Sequence, residues 1–185
     1  EITNPGQLFL INCSNFTLEN YELYNTHIGP VIFESNNITF NNITVWNQTD
    51  YGIYVHSSRN VNLGRVNVQK NTEGLYMKDV ENTNIYQSTF SQNSESDIYC
   101  YSSSDLRIED NNFTLNGGKG IRFSRTSNSL LYNNYFQGQG LSIGLETGFD
   151  LNNTIWNNIF EAETHIGGEI IDDRGLFNYW DNGSV

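Results

Sequence analysis

Glu34, His56 and Lys78 recur at a spacing of 22 residues, and a carboxylate, an imidazole and an amine at one interval are the ingredients of general acid–base chemistry. They could meet only if the chain returned to the same place every 22 residues. A mixed-charge surface row explains the same three residues without a reaction, and that reading is preferred. Asp79, Glu109, Arg122 and Arg125 form the one other acid–base cluster. Elimination from an acidic sugar would use such a cluster to hold calcium and a basic residue to take the sugar proton, but the basic residues are scattered singly. Glycoside hydrolysis needs two carboxylates about 5–10 Å apart. The columns Glu34, His56, Lys78, Tyr101, Ser124, Gly144 and Ser35, Ser57, Asp79, Ser102, Arg125 hold no stack of acids. His27, His56 and His165 lack the spacing of metal ligands, so no metal site is expected. No cofactor is expected beyond loosely bound calcium on surface carboxylates.

The elements that would position these residues follow from a repeat of 22 or 23 residues. Coils begin at Leu8, Val31, Ile53, Leu75, Ile98, Ile121 and Leu141, each followed two residues on by an apolar partner: Leu10, Phe33, Val55, Met77, Cys100, Phe123 and Ile143. Residues i and i+2 of a strand share a face, so these columns point inward and Phe9, Ile32, Tyr54, Tyr76, Tyr99 and Arg122 point out. A second strand carries Phe16 and Leu18, Ile38 and Phe40, Val61 and Leu63, Thr83 and Ile85, Leu106 and Ile108, Leu131, and Phe149 and Leu151. A third carries Leu23, Val45, Val68, Phe90, Phe113 and Phe136. Gly29, Gly52, Gly74, Gly120, Gly140 and Gly168 close the coils, with Asp97 once in their place; positive φ at a tight corner is the expected reason. Asn20, Arg65, Gln87, Asp110, Asn133 and Asn153 mark a polar bend, with Asn42 one place out of register, where stacked amides can bond from coil to coil. Three short strands per coil without a helical period predict an all-β, single-domain parallel β-helix of about seven to eight coils. Residues 1–7 form its first edge, 8–168 its coils and 169–185 a closing edge coil, with a loop bulging near 143–149 or 161–168.

Composition sets the partners. At 185 residues the chain can bury a core. A net charge of −12 repels phosphate backbones and anionic lipid, so nucleic acid is excluded as a partner. No apolar stretch approaches the length of a membrane span. Asparagine is roughly one residue in six, and sequons fall at Asn12, Asn15, Asn37, Asn42, Asn47, Asn112, Asn152 and Asn182. With the Glu1 start, they predict an extracellular or cell-surface glycoprotein whose export signal has been removed. Cys100 falls in an inward column, and Cys13 in the first turn lies four coils away, about 19 Å at ~4.8 Å per coil. No internal disulfide can form over that distance, and Cys13 is the candidate for a bridge between chains.

The segments "GIYV", "GLYM", "GIRF", "NSLLYNNYF" and the closing "FNYWDN" resemble the right-handed β-helix repeats of carbohydrate-binding proteins and sugar hydrolases, and above all the NosD-like arrays of archaeal surface proteins. Asp172, Asp173 and Arg174 are similar to the paired acids of polygalacturonase-like hydrolases, but the companion motifs that this resemblance implies are missing. One Met and two Cys do not support the copper role attached to the NosD name.

The missing catalytic sets weigh against an enzyme. The first coil follows only "EITNPGQ" and no amphipathic helix covers either end, so edges free to pair predict a non-catalytic structural subunit that self-assembles into a cell-surface layer, sheath or fibre. The alternative is a polysaccharide-binding or polysaccharide-cleaving domain. In both cases the outward ladder Tyr54, Tyr76 and Tyr99 is the expected contact face, for a neighbouring copy or a glycan.

Overall fold

The computed structural model describes residues 7–138, 141–145, 152–161, 166–167 and 179–181. All regular structure among them is β, arranged as three parallel sheets of eight, seven and eight strands. Sheet A opens the coils with Phe9–Ile11, Val31–Phe33, Tyr51–His56, Glu73–Lys78, Ser96–Tyr101, Lys119–Ser124, Leu141–Gly144 and Ile166–Gly167. Sheet B begins with Ser14–Glu19 and runs to Thr154–Trp156; sheet C begins with Glu22–Tyr24 and runs to Tyr179–Asp181. Each strand bonds to its counterpart one coil away, never to its neighbour in sequence. This is a right-handed parallel β-helix with three strands per coil. Six coils are described end to end, slightly fewer than the seven to eight expected, and later strands extend the sheets.

The core is a set of columns. Leu10, Ile32, Val55, Met77, Cys100 and Phe123 stack inside sheet A, beside Ile53, Leu75, Ile98, Ile121 and Ile143. In sheet C, Phe90, Phe113, Phe136 and Phe160 stack with ring centroids 5.4, 4.7 and 5.0 Å apart. Two registers differ from expectation. In the second coil Ile32 points in, while Val31 and Phe33 point out, because Ile32 pairs between Leu10 and Val55. Three consecutive apolar residues leave alternation unable to choose a face; the ladder chooses. In the seventh coil Ile143, not Leu141, stands over Ile121, and Ile155 continues the Leu131 column, while the expected Phe149 and Leu151 lie outside the described residues.

Glycine serves a different purpose from the one expected. Gly29, Gly52, Gly74 and Gly120 do not have positive φ. The constraint on Gly29, Gly52 and Gly74 is space: a Cβ on Gly74 would lie 2.5 Å from the carbonyl oxygen of Asp97 in the next coil, and one on Gly52 would overlap the carbonyl of Gly74. The left-handed positions belong to corner columns of other residues, which Asn fills readily because its short polar side chain tolerates αL. One such column is Asn20, Asn42, Arg65, Gln87, Asp110, Asn133 and Asn157. Asn42 is therefore in register, and Asn157 replaces Asn153. Asn153 instead joins the buried polar set, accepting from the Ser129 amide at 3.0 Å. Buried ladders also run through Ser88, Asn111, Asn134 and Asn158, and through Gln48, Asn71, Asn93 and Asn116. Each amide oxygen accepts a backbone N–H of the preceding coil, satisfying groups that the bends take out of the sheets.

Candidate functional site

The outward face of sheet A carries the densest group of chemically able side chains. Strand alternation aims Tyr54, Tyr76 and Tyr99 outward one above another, as the pairing Tyr54↔Tyr76↔Tyr99↔Arg122 shows. Tyr54 and Tyr76 stack at 5.4 Å, Tyr99 meets Tyr76 edge-on at 5.2 Å, and the Arg122 guanidinium lies 4.3 Å from the Tyr99 ring centre. All three tyrosines are half-buried, so ring edges and faces remain available. A fourth ring, Tyr51, which the sequence reading missed, packs 5.3 Å from Tyr54 and 5.0 Å from Tyr76. Its signal is the recurrence of the coil-opening position two residues before each inward column, where Tyr51 pairs with Glu73.

Two residues along, the column reads Phe33, His56, Lys78, Tyr101 and Ser124. Phe33 and His56 stack at 5.2 Å, and the ammonium of Lys78 lies 6.0 Å from the Tyr101 ring centre. Glu34 does not join His56 and Lys78: it occupies a positive-φ corner with Ser57, Asp79, Ser102 and Arg125. Ser35 turns inward and is buried. The 22-residue run of Glu34, His56 and Lys78 is thus a register artefact, although His56 does reach Asp79 at 3.3 Å. Arg125 lies 5.8 Å from the Tyr101 ring, giving that end of the face three cations around two tyrosines. Glu109 belongs to sheet B, away from Asp79 and Arg122.

Electrostatics distinguish one acid. Glu73 is 6 % exposed, and its Oε2 has no hydrogen-bond partner. Burial pushes its pKa up to about 7; a hydrogen bond from Ser96 and the charge of Arg122 oppose the rise, and Glu95 adds to it. Burial first, then the surrounding phenols, pushes Tyr76 up to about 12. Tyr51 and Tyr54 are raised by burial first as well, so these phenols remain hydrogen-bond donors at neutral pH. Glu73 was not singled out in the sequence, where "TEGLYM" looks like any coil start.

The other expected residues are dispersed. Cys13 is half-buried in the first coil and Cys100 is in the core, with no disulfide between them. Asn12, Asn15, Asn37, Asn42, Asn47 and Asn152 are exposed at positive-φ corners, and Asn112 is exposed at a strand start. Asn37, Asn42 and Asn47 donate to Asn15, Asn20 and Asn25 at 2.6 Å each. Gly140, Gly168, Asn182, His165, Asp172, Asp173, Arg174 and the expected loop bulges lie outside the described residues, apart from 143–145, Glu161 and Ile166–Gly167. Among the described residues no three His, Cys, Asp or Glu side chains converge on a metal position, and no helix is long and apolar enough to cross a membrane.

The family model that matches the sequence is "Periplasmic copper-binding protein (NosD)", over residues 3–184. Comparison with curated proteins finds no match. Among solved structures, a mutant of the periplasmic alginate epimerase AlgG superposes with a TM-score of 0.76 at 16 % identity, covering 93 % of this chain and 45 % of that one. The Azotobacter vinelandii mannuronan C-5 epimerase AlgE6 A-module gives 0.64 at 13 %, covering 81 % and 48 %. The Streptococcus pneumoniae surface protein and adhesin PfbA gives 0.62 at 15 %, covering 87 % and 57 %. The chain thus spans about half the length of these structures, and at such identities the likeness is one of fold. Copper does not fit the described donors: Met77 and Cys100 adjoin but are wholly buried in the core, and His27 and His56 stand in different columns. What the match over residues 3–184 and the stacked coils establish together is membership: the chain belongs to the NosD family of parallel β-helix proteins.

Proposed function

We propose that this chain binds a polysaccharide outside the cytoplasm, along the outward face of sheet A. The observation that carries the reading is the continuous terrace of Tyr51, Tyr54, Tyr76 and Tyr99, extended by Arg122. Rings repeating at the coil spacing of about 4.8 Å suit a ligand that is itself a repeat, and phenols held in the neutral form offer donors to sugar hydroxyls. Lys78, Lys119, Arg122 and Arg125 are four of the nine basic residues, and all lie on the strands and corners of sheet A in the fourth to sixth coils. They favour a glycan bearing carboxylates. Binding rather than cleavage fits best, because Glu73, the acid with a pKa suited to proton transfer, is buried. Affinity electrophoresis in gels containing polyuronate tests the reading. Retardation is expected, with Tyr76→Ala and Tyr99→Ala each weakening it about tenfold; unretarded wild-type protein in polyuronate and neutral-glycan gels alike would sink it.

A second reading, self-assembly into a layer or fibre, is favoured by the first coil. Phe9 and Ile11 are 54 % and 58 % exposed, and the inward pair Phe16 and Leu18 is only partly covered, whereas Ile38 and Phe40 one coil on are fully buried. Cys13 lies in that coil, half-buried, where a bridge between chains would form.

A further inference from the structure

Sheet B holds a second arrangement of side chains that the sheet A reading leaves unused. Asn62, Asn84 and Arg107 follow one another in one outward column; Gly64, Tyr86, Glu109, Tyr132 and Trp156 form the next. The aromatic members of the second column lean apart. Tyr86 lies over Gly64, where a Cβ would come within 2.5 Å of the ring's Cζ and hydroxyl oxygen, so the missing side chain is what lets the ring fold that way. Tyr132 stacks on Trp156 in the other direction, at 5.4 Å and 10°. Between them a depression opens, lined by Asn84, Tyr86, Arg107 and Glu109.

The polar groups in it are arranged rather than scattered. Arg107 Nη2 donates to Glu109 Oε2 at 2.8 Å and to the Tyr132 hydroxyl, with the guanidinium 5.0 Å from the Tyr132 ring centre. Asn84 donates to Asn62 at 2.9 Å, which fixes its amide and leaves its Oδ1 as an acceptor. We propose that this depression is a binding site for one unit of a neutral sugar, separate from the sheet A face. The charges of Arg107 and Glu109 cancel, so neither an anion nor a cation gains net attraction there. A guanidinium fork and a carboxylate side by side present donors and acceptors to adjacent hydroxyls, which need both. The ring of Tyr86 offers a surface to the apolar C–H face of a pyranose. The site does not depend on Tyr54, Tyr76 or Tyr99, which stand on another sheet.

Amide nitrogen–proton spectra of the whole chain, titrated with hexamers of glucose, mannose, xylose and N-acetylglucosamine and with a hexauronate, test this. At least one neutral hexamer is expected to shift the amides of Asn62, Asn84, Tyr86, Arg107 and Tyr132. Arg107→Lys keeps the charge but loses the fork, and Tyr86→Ala removes the ring; each should weaken that binding about tenfold. Tyr86→Phe should keep most of it, Tyr76→Ala all of it, and unchanged thermal midpoints would show that the substitutions leave the fold intact. Three results would each overturn the proposal: no neutral hexamer moving these amides, shifts that survive both Arg107→Lys and Tyr86→Ala, or tighter binding of the hexauronate at the same residues. The first of these, accompanied by polyuronate binding that depends on Tyr76, would leave the sheet A reading standing by itself.

Discussion

Two buried acids on the sheet A strands carry an energetic signature that can be read without any ligand. Asp97 occupies the column of close-approach glycines, fully buried, with its oxygens accepting from Asn93 at 2.7 Å and from Asn116. Burial holds its pKa well above the usual carboxylate range, against the two amide hydrogen bonds. Glu73 lies one coil earlier with a pKa of about 7. In the unfolded chain a glutamate titrates near 4.3. Below that pH both states hold the proton and the group is neutral in its effect. Between about 4.3 and 7 only the folded state keeps it, so stability falls as pH rises across this window and then levels off for Glu73. Replacing Glu73 by Gln removes the proton linkage. The variant should match the wild type in unfolding free energy near pH 4 and exceed it at pH 8 by about 3–4 kcal/mol, read from urea titrations at the two pH values. A difference that does not change with pH would mean that Glu73 ionises freely in the folded protein.

At the scale of strands, the partly covered apolar side chains of the first coil separate polymer from binder, because a parallel solenoid offers the same register at each coil. If the partly covered Phe16 and Leu18 are a contact surface between copies, electron microscopy should find particles elongating along the coil axis, and reductant should shorten them only where Cys13 has bridged two chains. Monomers dispersed at high concentration would exclude assembly. Strands were also the scale at which the sequence was most legible. The sheet C column from Leu23 to Phe136 and the pairs from Ile38 to Ile108 stand where alternation placed them, because one apolar residue flanked by polar ones has a single inward choice. "PVIFES" gave no such choice, and Ile32 is fixed by pairing with Leu10 and Val55. That one-residue offset created the apparent Glu34, His56 and Lys78 row. The tyrosine ladder was legible for the same reason as the core; the contact between Tyr51 and Tyr76 and the burial of Glu73 depend on how side chains fold across coils, which no spacing encodes.

Over the molecule as a whole, charge is distributed against its own sum. The net charge is −12, yet one end of the sheet A face gathers Lys78, Lys119, Arg122 and Arg125, while Glu34 and Asp50 stand toward the other. Long-range repulsion of an anionic glycan and short-range attraction to this cluster therefore compete, and salt affects them differently. The Debye length falls from about 30 Å at 0.01 M to about 10 Å at 0.1 M, so moderate salt screens the distant acids while a carboxylate in contact with a guanidinium is screened far less. Polyuronate affinity should thus rise or hold between ~0.01 and ~0.1 M salt and fall only near 1 M, where the Debye length of about 3 Å reaches contact range. The double variant Arg122→Gln with Arg125→Gln should lose affinity about tenfold or more at 0.1 M and keep its interaction with neutral sugars. Electrophoretic retardation measured across this salt range separates the cases. A steady loss from the lowest salt upward would indicate attraction dominated by screened, distant charge, and an undiminished double variant would locate the glycan on the tyrosines alone.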